Sequence, residues 1–173
     1  MEYYIAQVFG FFALIIVFMS YQTTKRKKFL TIQIIACIFY AIQYLFLKAY
    51  SGFGASFICA VKSGIFFNYE KKEKKIPIIV LVFLEIAFIL VGIFTFDGIY
   101  SLIPIFIHCI YTVGTWFKDL KITYTIAIGT AFLWIAYCLI VEAHVAIFAN
   151  ILELIASIRG LRKVALERKK EKC

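Results

Sequence analysis

Charge is scarce in this chain. Of its 173 residues, 17% are charged and 64% apolar, and mean hydropathy is +0.92. A soluble domain of ordinary composition has about 25% charged and about 45–50% apolar residues. Too little polar surface is left to cover a water-soluble globule. Disorder is excluded too, because it needs low hydrophobicity. Strands of a membrane barrel alternate apolar with polar positions, and Phe9-Gly10-Phe11-Phe12-Ala13-Leu14-Ile15-Ile16-Val17-Phe18 does not alternate. The sequence also lacks G-x-S-x-G, H-E-x-x-H, a P-loop and any Cys/His cluster at metal spacing, so neither an enzyme nor a metal or cofactor protein is expected. The five cysteines form no CxxC pair. Cys37, Cys59, Cys109 and Cys138 fall inside apolar runs, where a thiol acts as a small apolar group. Cys173 makes no lipidation box. No basic n-region precedes the first apolar run, so no cleavable signal peptide of ordinary type is expected.

What is present is a set of seven apolar runs: Tyr3–Tyr21, Phe29–Leu47, Ser51–Tyr69, Ile76–Phe96, Tyr100–Phe117, Ile122–Val141 and Ala143–Ile158. Each approaches the roughly 20 residues that cross hydrocarbon as a helix. In lipid every backbone group must be satisfied within its segment, so helix is the expected form.

The cations order these runs. Lys25 to Lys28, then Lys71, Lys72, Lys74 and Lys75, then Lys118 and Lys121, and finally the tail from Arg159 to Lys172 hold seventeen of the nineteen Lys and Arg. They fall on alternate connections. The opposite connections carry Lys48 with Asp97 and Glu142. Positive residues stay inside, which predicts an outside N-terminus and a cytoplasmic C-terminus. The basic tail is read as a membrane flank that contacts anionic lipid rather than nucleic acid.

An internal repeat follows. Residues 8–67 slide without gaps onto 102–161, a shift of 94, with ten identities in sixty pairs. Among them are Lys27/Lys121 in an inside turn, Ala49/Ala143 in an outside turn, Thr31/Thr125 and Ser63/Ser157. Spans one to three thus repeat as spans five to seven in the same orientation, and span four is the odd helix between them. The expected organisation is a first three-helix unit over 1–70, a linker helix over 71–98, a second unit over 99–162 and a basic tail over 163–173. This 3+1+3 parallel plan is the one described for SWEET-type transporters.

Several short segments carry a family resemblance. They are Ala6-Gln7 with Gly10, Leu47-Lys48-Ala49-Tyr50-Ser51-Gly52, Ala60-Val61-Lys62-Ser63, Leu102-Ile103-Pro104, Trp134 with Tyr137, and the Arg159/Arg162 ending. In this order and spacing the chain resembles the YgjV-type bacterial inner membrane proteins over nearly its whole length. It departs from them at Lys62, where that family usually has Arg, and near Asn150, where it usually has an acid. More distantly it resembles the SWEET and PQ-loop group. That likeness implies a bacterial inner-membrane protein that passes a small polar solute, such as a sugar or other metabolite, between two rocking units.

Polar residues inside the spans are the candidate site, since each is expensive in hydrocarbon. Trp134 and Asn150 match Tyr40 and Ser56 under the shift of 94. Two aromatic faces and two small hydrogen-bonding groups are suited to enclosing a sugar-like ring. The competing reading is packing aromatics and interhelical glue. Lys62, Glu85, His108 and Glu153 fall near mid-depth and are expected either to couple ions or to fix helix register as buried pairs. Gln7, Gln33, Gln43 and Asn68 read as glue or interfacial groups. Pro104 matches Gly10 under the same shift, which suggests a hinge at equivalent points of the two units; the alternative is that Pro104 only starts a helix. A receptor, chaperone or assembly factor on the same fold is the rival to a transporter. The solute and the homo-oligomeric state are left open.

Overall fold

The computed structural model describes residues 2–96, 98, 102–140 and 144–171. Asp97, Tyr100, Glu142, Ala143 and Cys173, which figure in the sequence reading, lie outside the described residues. Within them the chain forms seven α-helices and no strand: α1 Glu2–Ser20, α2 Arg26–Phe46, α3 Tyr50–Lys71, α4 Ile78–Phe94, α5 Leu102–Trp116, α6 Leu120–Ile140 and α7 His144–Glu171. By length and composition α1, α2 and α6 can cross a membrane; α4 and α5 are shorter apolar helices.

The bounds follow the apolar runs to within a few residues, with one exception. The last run ends at Ile158, whereas α7 continues to Glu171. Hydropathy marks where a helix leaves the apolar phase, not where it stops. Past Ile158 the sequence Arg159-Gly160-Leu161-Arg162-Lys163-Val164-Ala165-Leu166-Glu167-Arg168 is rich in good helix formers. Its 28 residues extend about 42 Å at about 1.5 Å per residue, longer than a bilayer core.

Two turns are closed alike. Lys48 after α2 and Glu73 after α3 both have φ of 57°. The Ala49 amide donates to the Tyr44 carbonyl and the Lys74 amide to the Tyr69 carbonyl, each at 3.0 Å. This is the left-handed helix ending that glycine usually supplies, and both here use a charged residue instead.

Helix α2 packs along both α1 and α3, and α6 along both α5 and α7. Helix α4 bridges α3 to α5, and α1 touches α7. The shift of 94 carries α2 onto α6 with both ends coinciding, and it carries the start of α3 onto the start of α7. Burial keeps the same register. Ala13/Ile107, Arg26/Leu120, Leu30/Tyr124, Gln33/Ala127, Ala36/Thr130, Ser63/Ser157 and Phe66/Gly160 are buried at both members. Thr31 and Thr125 are both exposed, and each returns its hydroxyl to the carbonyl four residues back, on Lys27 and Lys121. Matched positions therefore present matched faces, although the residue types have drifted apart. The outward faces are large and apolar: Phe94 is 84% exposed and Ile79 70%. Such a surface needs an apolar solvent.

Candidate functional site

The basic turns gather at one end of the bundle, and there residues 20–76 are tied to residues 111–168. Arg26 opens α2 and is buried. Its Nε lies 3.3 Å from the Glu70 carboxylate at the end of α3. Its Nη2 donates to the Thr115 carbonyl at 2.5 Å and its Nη1 to the Phe117 carbonyl. One guanidinium thus caps the last carbonyls of α5 while neutralising an acid of the first half, as a planar fork of five donors allows. Glu70 also meets Lys118 at 3.9 Å. The Tyr124 hydroxyl donates to the Thr23 carbonyl at 2.6 Å, the Trp116 indole to Ile76 at 3.1 Å, and Lys163 to Gln22 at 3.0 Å. Gly160 admits this closeness: a Cβ there would run into the Tyr21 carbonyl oxygen and the Tyr124 ring.

Outermost at this end, Asp119 caps α6 by accepting from the Lys121 amide at 2.8 Å, and Arg168 of α7 clasps its carboxylate. Partial burial pushes the Asp119 carboxyl up, but the Arg168 guanidinium and the Lys121 amide outweigh it and hold the group below the usual aspartate range.

A polar chain runs inward from this layer. Gln33 Nε2 donates to Ser20 Oγ at 3.1 Å and to the Tyr111 hydroxyl at 3.3 Å. The hydroxyls of Tyr111 and Tyr21 are 3.2 Å apart, and Tyr21 donates to Glu153 Oε1 at 2.8 Å. A phenol has a single proton. Tyr21 gives its proton to Glu153, so Tyr111 is the donor to Tyr21. The order Gln33, Tyr111, Tyr21, Glu153 therefore has one direction, and the donors converge on one carboxyl. The chain draws on α2, α5, the turn after α1, and α7.

Lys62, 2% exposed, sets its ammonium 4.9 Å from the centre of the Tyr111 ring. Glu85 and Glu153 are the carboxylates that could neutralise it as a buried pair; among the described residues neither comes within ion-pair distance of it. The Tyr111 ring takes that place as a cation–π partner. A turn further out, His108 Nδ1 is 3.7 Å from Cys59 Sγ. The His108 ring stacks on Phe88 at 5.3 Å and meets the edge of Trp134 at 5.9 Å.

The four residues expected to enclose a solute are distributed differently. Trp134 spends its faces on His108 and Tyr137. Tyr40 stacks on Tyr44 at 6.4 Å and packs against the main core. Asn150 Nδ2 lies 3.6 Å from Cys138 Sγ. Ser56 is half-buried on α3. Glu85 on α4 faces Cys109 of α5, and one of its carboxylate oxygens is buried and without a hydrogen bond. Pro104 lies in the first described turn of α5. Gly10 gives its space to the Gln43 amide. Two clefts open on the α4–α5–α6 side. One of about 490 Å³ is lined by Leu102, Ile103, Phe106, Leu133, Ala136, Tyr137 and Ile140, and one of about 300 Å³ lies between α4 and α5. Both are essentially apolar.

The charges of the chain were readable in advance, but the tyrosines were not. Tyr21 and Tyr111 are two of eleven tyrosines, and a tyrosine in an apolar run serves equally as interface belt or core. The signal available was position: Tyr111 falls one turn past His108 and Tyr21 at the edge of a basic turn. Gln33, read as glue, is the residue that joins α2 to the chain.

The comparisons agree with this membrane-like architecture. A family model described as a bacterial inner membrane protein, Imp-YgjV, matches residues 4–168. No curated protein and no solved structure matches the chain. A match over that length shows that the chain belongs to the Imp-YgjV family of bacterial inner membrane proteins.

Proposed function

We propose that this protein is a seven-span transporter of a small polar solute. Its N-terminus faces out, its C-terminus faces the cytoplasm, and two parallel three-helix units joined by α4 rock about their interface. The observation that carries this reading is an asymmetry. Among the described residues, the hydrogen bonds and ion pairs that join α1–α3 to α5–α7 run from mid-depth to the basic end. Bonds of this kind can break and re-form at one end of a bundle, which is what a closed gate requires. The matched registers of α2 and α6 support the two-unit plan, and the alternating cations support the orientation.

In this reading Trp134, Asn150, Tyr40 and Ser56 bind the solute once the units part, and Gly10 and Pro104 let the first helix of each unit bend. Uptake into proteoliposomes from a panel of sugars, amino acids and vitamins tests it. Asn150→Ala is expected to lose uptake while keeping expression and thermal stability. A panel with no substrate would count against transport. A second reading is favoured by the direct side-chain bonding of the basic half and by the apolar clefts. It is a receptor, chaperone or assembly factor that kept the fold. A protein that transports nothing and co-purifies stoichiometrically with one partner would establish it.

A further inference from the structure

A one-way chain of donors that ends on a half-buried carboxyl is more than glue. Glue needs only that each polar group find a partner. Here three donors in series, from α2, α5 and the α1 turn, are all oriented toward Glu153 of α7. The members belong to both halves of the molecule, so the chain is made and broken whenever the halves move. Around Glu153 stand Tyr21 from the α1 turn, Tyr40 from α2, and Tyr111 and His108 from α5. Helix α6, which packs along α7, offers Tyr124, whose hydroxyl is turned to Thr23. Lys62 of α3 is held over the Tyr111 ring. No cation lies within ion-pair distance of Glu153 among the described residues.

We propose that Glu153 is a proton-binding site whose occupancy sets whether the basic end is closed. The proposal deepens the transporter reading and rests on it for its purpose. In the closed form Glu153 is half-buried, one phenol stands in for part of the water that an ionised carboxyl holds in solution, and among the described residues no cation lies within ion-pair distance to make up the difference. The neutral acid therefore belongs to the closed form, with Oε1 accepting from Tyr21 and Oε2 carrying the proton. When the basic end opens, water reaches Glu153, the proton leaves, and the carboxylate favours the open form. Each opening and closing then releases and takes up one proton on the basic side. Tyr21, Tyr111 and Gln33 are positioning residues that aim the Tyr21 hydroxyl.

The test needs no solute. Lys27 and Lys121 are exposed and equivalent under the shift of 94. In a Cys173→Ser background, spin labels at Lys27→Cys and Lys121→Cys report the separation of the two units at the basic end in liposomes. As pH rises through the range where buried carboxyls titrate, the distance distribution should gain a longer component. Glu153→Gln, a fixed neutral mimic, should lose that component at every pH. Tyr21→Phe removes a hydrogen bond that only the closed form makes and should move the transition to lower pH; it also serves if Glu153→Gln folds poorly. His108→Gln should leave the transition in place. A transition that is unchanged in both Glu153→Gln and Tyr21→Phe, or one abolished by His108→Gln, overturns the proton site. The transport reading fails separately, if no solute of the panel is taken up while the Glu153-dependent transition is present.

Discussion

The two ends of this bundle are held by different physics. At the basic end, directional bonds cross between the halves: Arg26 to the α5 carbonyls, Tyr124 to Thr23, Tyr21 to Glu153. Toward the opposite end, the described ring contacts stay within one half, Phe9 on Phe39 and Phe46, Tyr40 on Tyr44, Trp134 on Tyr137. Contacts of the second kind depend on packing, which lipid tails can replace with little loss. Hydrogen bonds and ion pairs have no such substitute inside a bilayer. Among the described residues, then, the basic end latches the halves together with directional bonds, and the opposite end contributes shape.

Arg26 gives the sharpest break of that comparison. Removing one member of a buried ion pair strands the other, typically at about 3–5 kcal/mol. Arg26→Ala would leave Glu70 facing only Lys118 and would uncap the Thr115 and Phe117 carbonyls at the end of α5. A marked fall in melting temperature in detergent is expected, together with increased reactivity of thiols introduced along the basic end. Lys48→Ala, at the opposite turn, should change little. Equal losses in the two variants would show that the ends are not held differently.

The sequence made the helices legible because each apolar run has a length and apolarity that a helix suits. The alternating cations then fixed which turns share an end. Only α7 misled, where a charged segment carries the helix beyond its span. The repeat was legible as register rather than identity: Leu30 and Tyr124 share burial but not chemistry. The site was half legible. Lys62, His108 and Glu153 stood out because an ionisable residue in a span is rare. Their partners did not, because the Tyr21–Glu153 bond spans 132 residues and no local pattern encodes a pairing of that kind. Lys62 shows the consequence: charge alone suggested a carboxylate partner, and an aromatic face stands there instead.

Glycines sharpen the comparison at smaller scale. Gly160 lets α7 lie against the turn after α1, where a Cβ would meet the Tyr21 carbonyl oxygen, a backbone atom that cannot swing away. Gly129 on α6 has nothing within 4 Å of an added Cβ. Gly160→Ala should therefore destabilise by about 1–3 kcal/mol, as overpacking does. Gly129→Ala should be neutral or stabilising by up to about 1 kcal/mol through helix propensity. Thermal unfolding of the two variants reads the difference. A neutral Gly160→Ala would mean that the α7–α1 contact is looser than the bonds around it require.

The smallest effect belongs to the exposed rim of the latch. Asp119 and Arg168 are paired but both partly open to solvent, with side-chain exposures of 34% and 48%. A pair of this type contributes about 0–1 kcal/mol and weakens with salt. Its sign with pH follows from the depressed Asp119 carboxyl. The contribution is fully present above the unfolded aspartate value of about 3.9. It is lost as pH falls through the lower value of the folded state. Asp119→Asn keeps an amide oxygen able to cap α6 and removes only the charge. At neutral pH the variant should melt slightly below the parent, and in strong acid the two curves should meet. High salt should narrow the neutral-pH gap in the same way. A gap that persists unchanged into acid would assign the effect to the cap rather than the ion pair, and would leave Arg168 as a residue that contacts the rim without holding it.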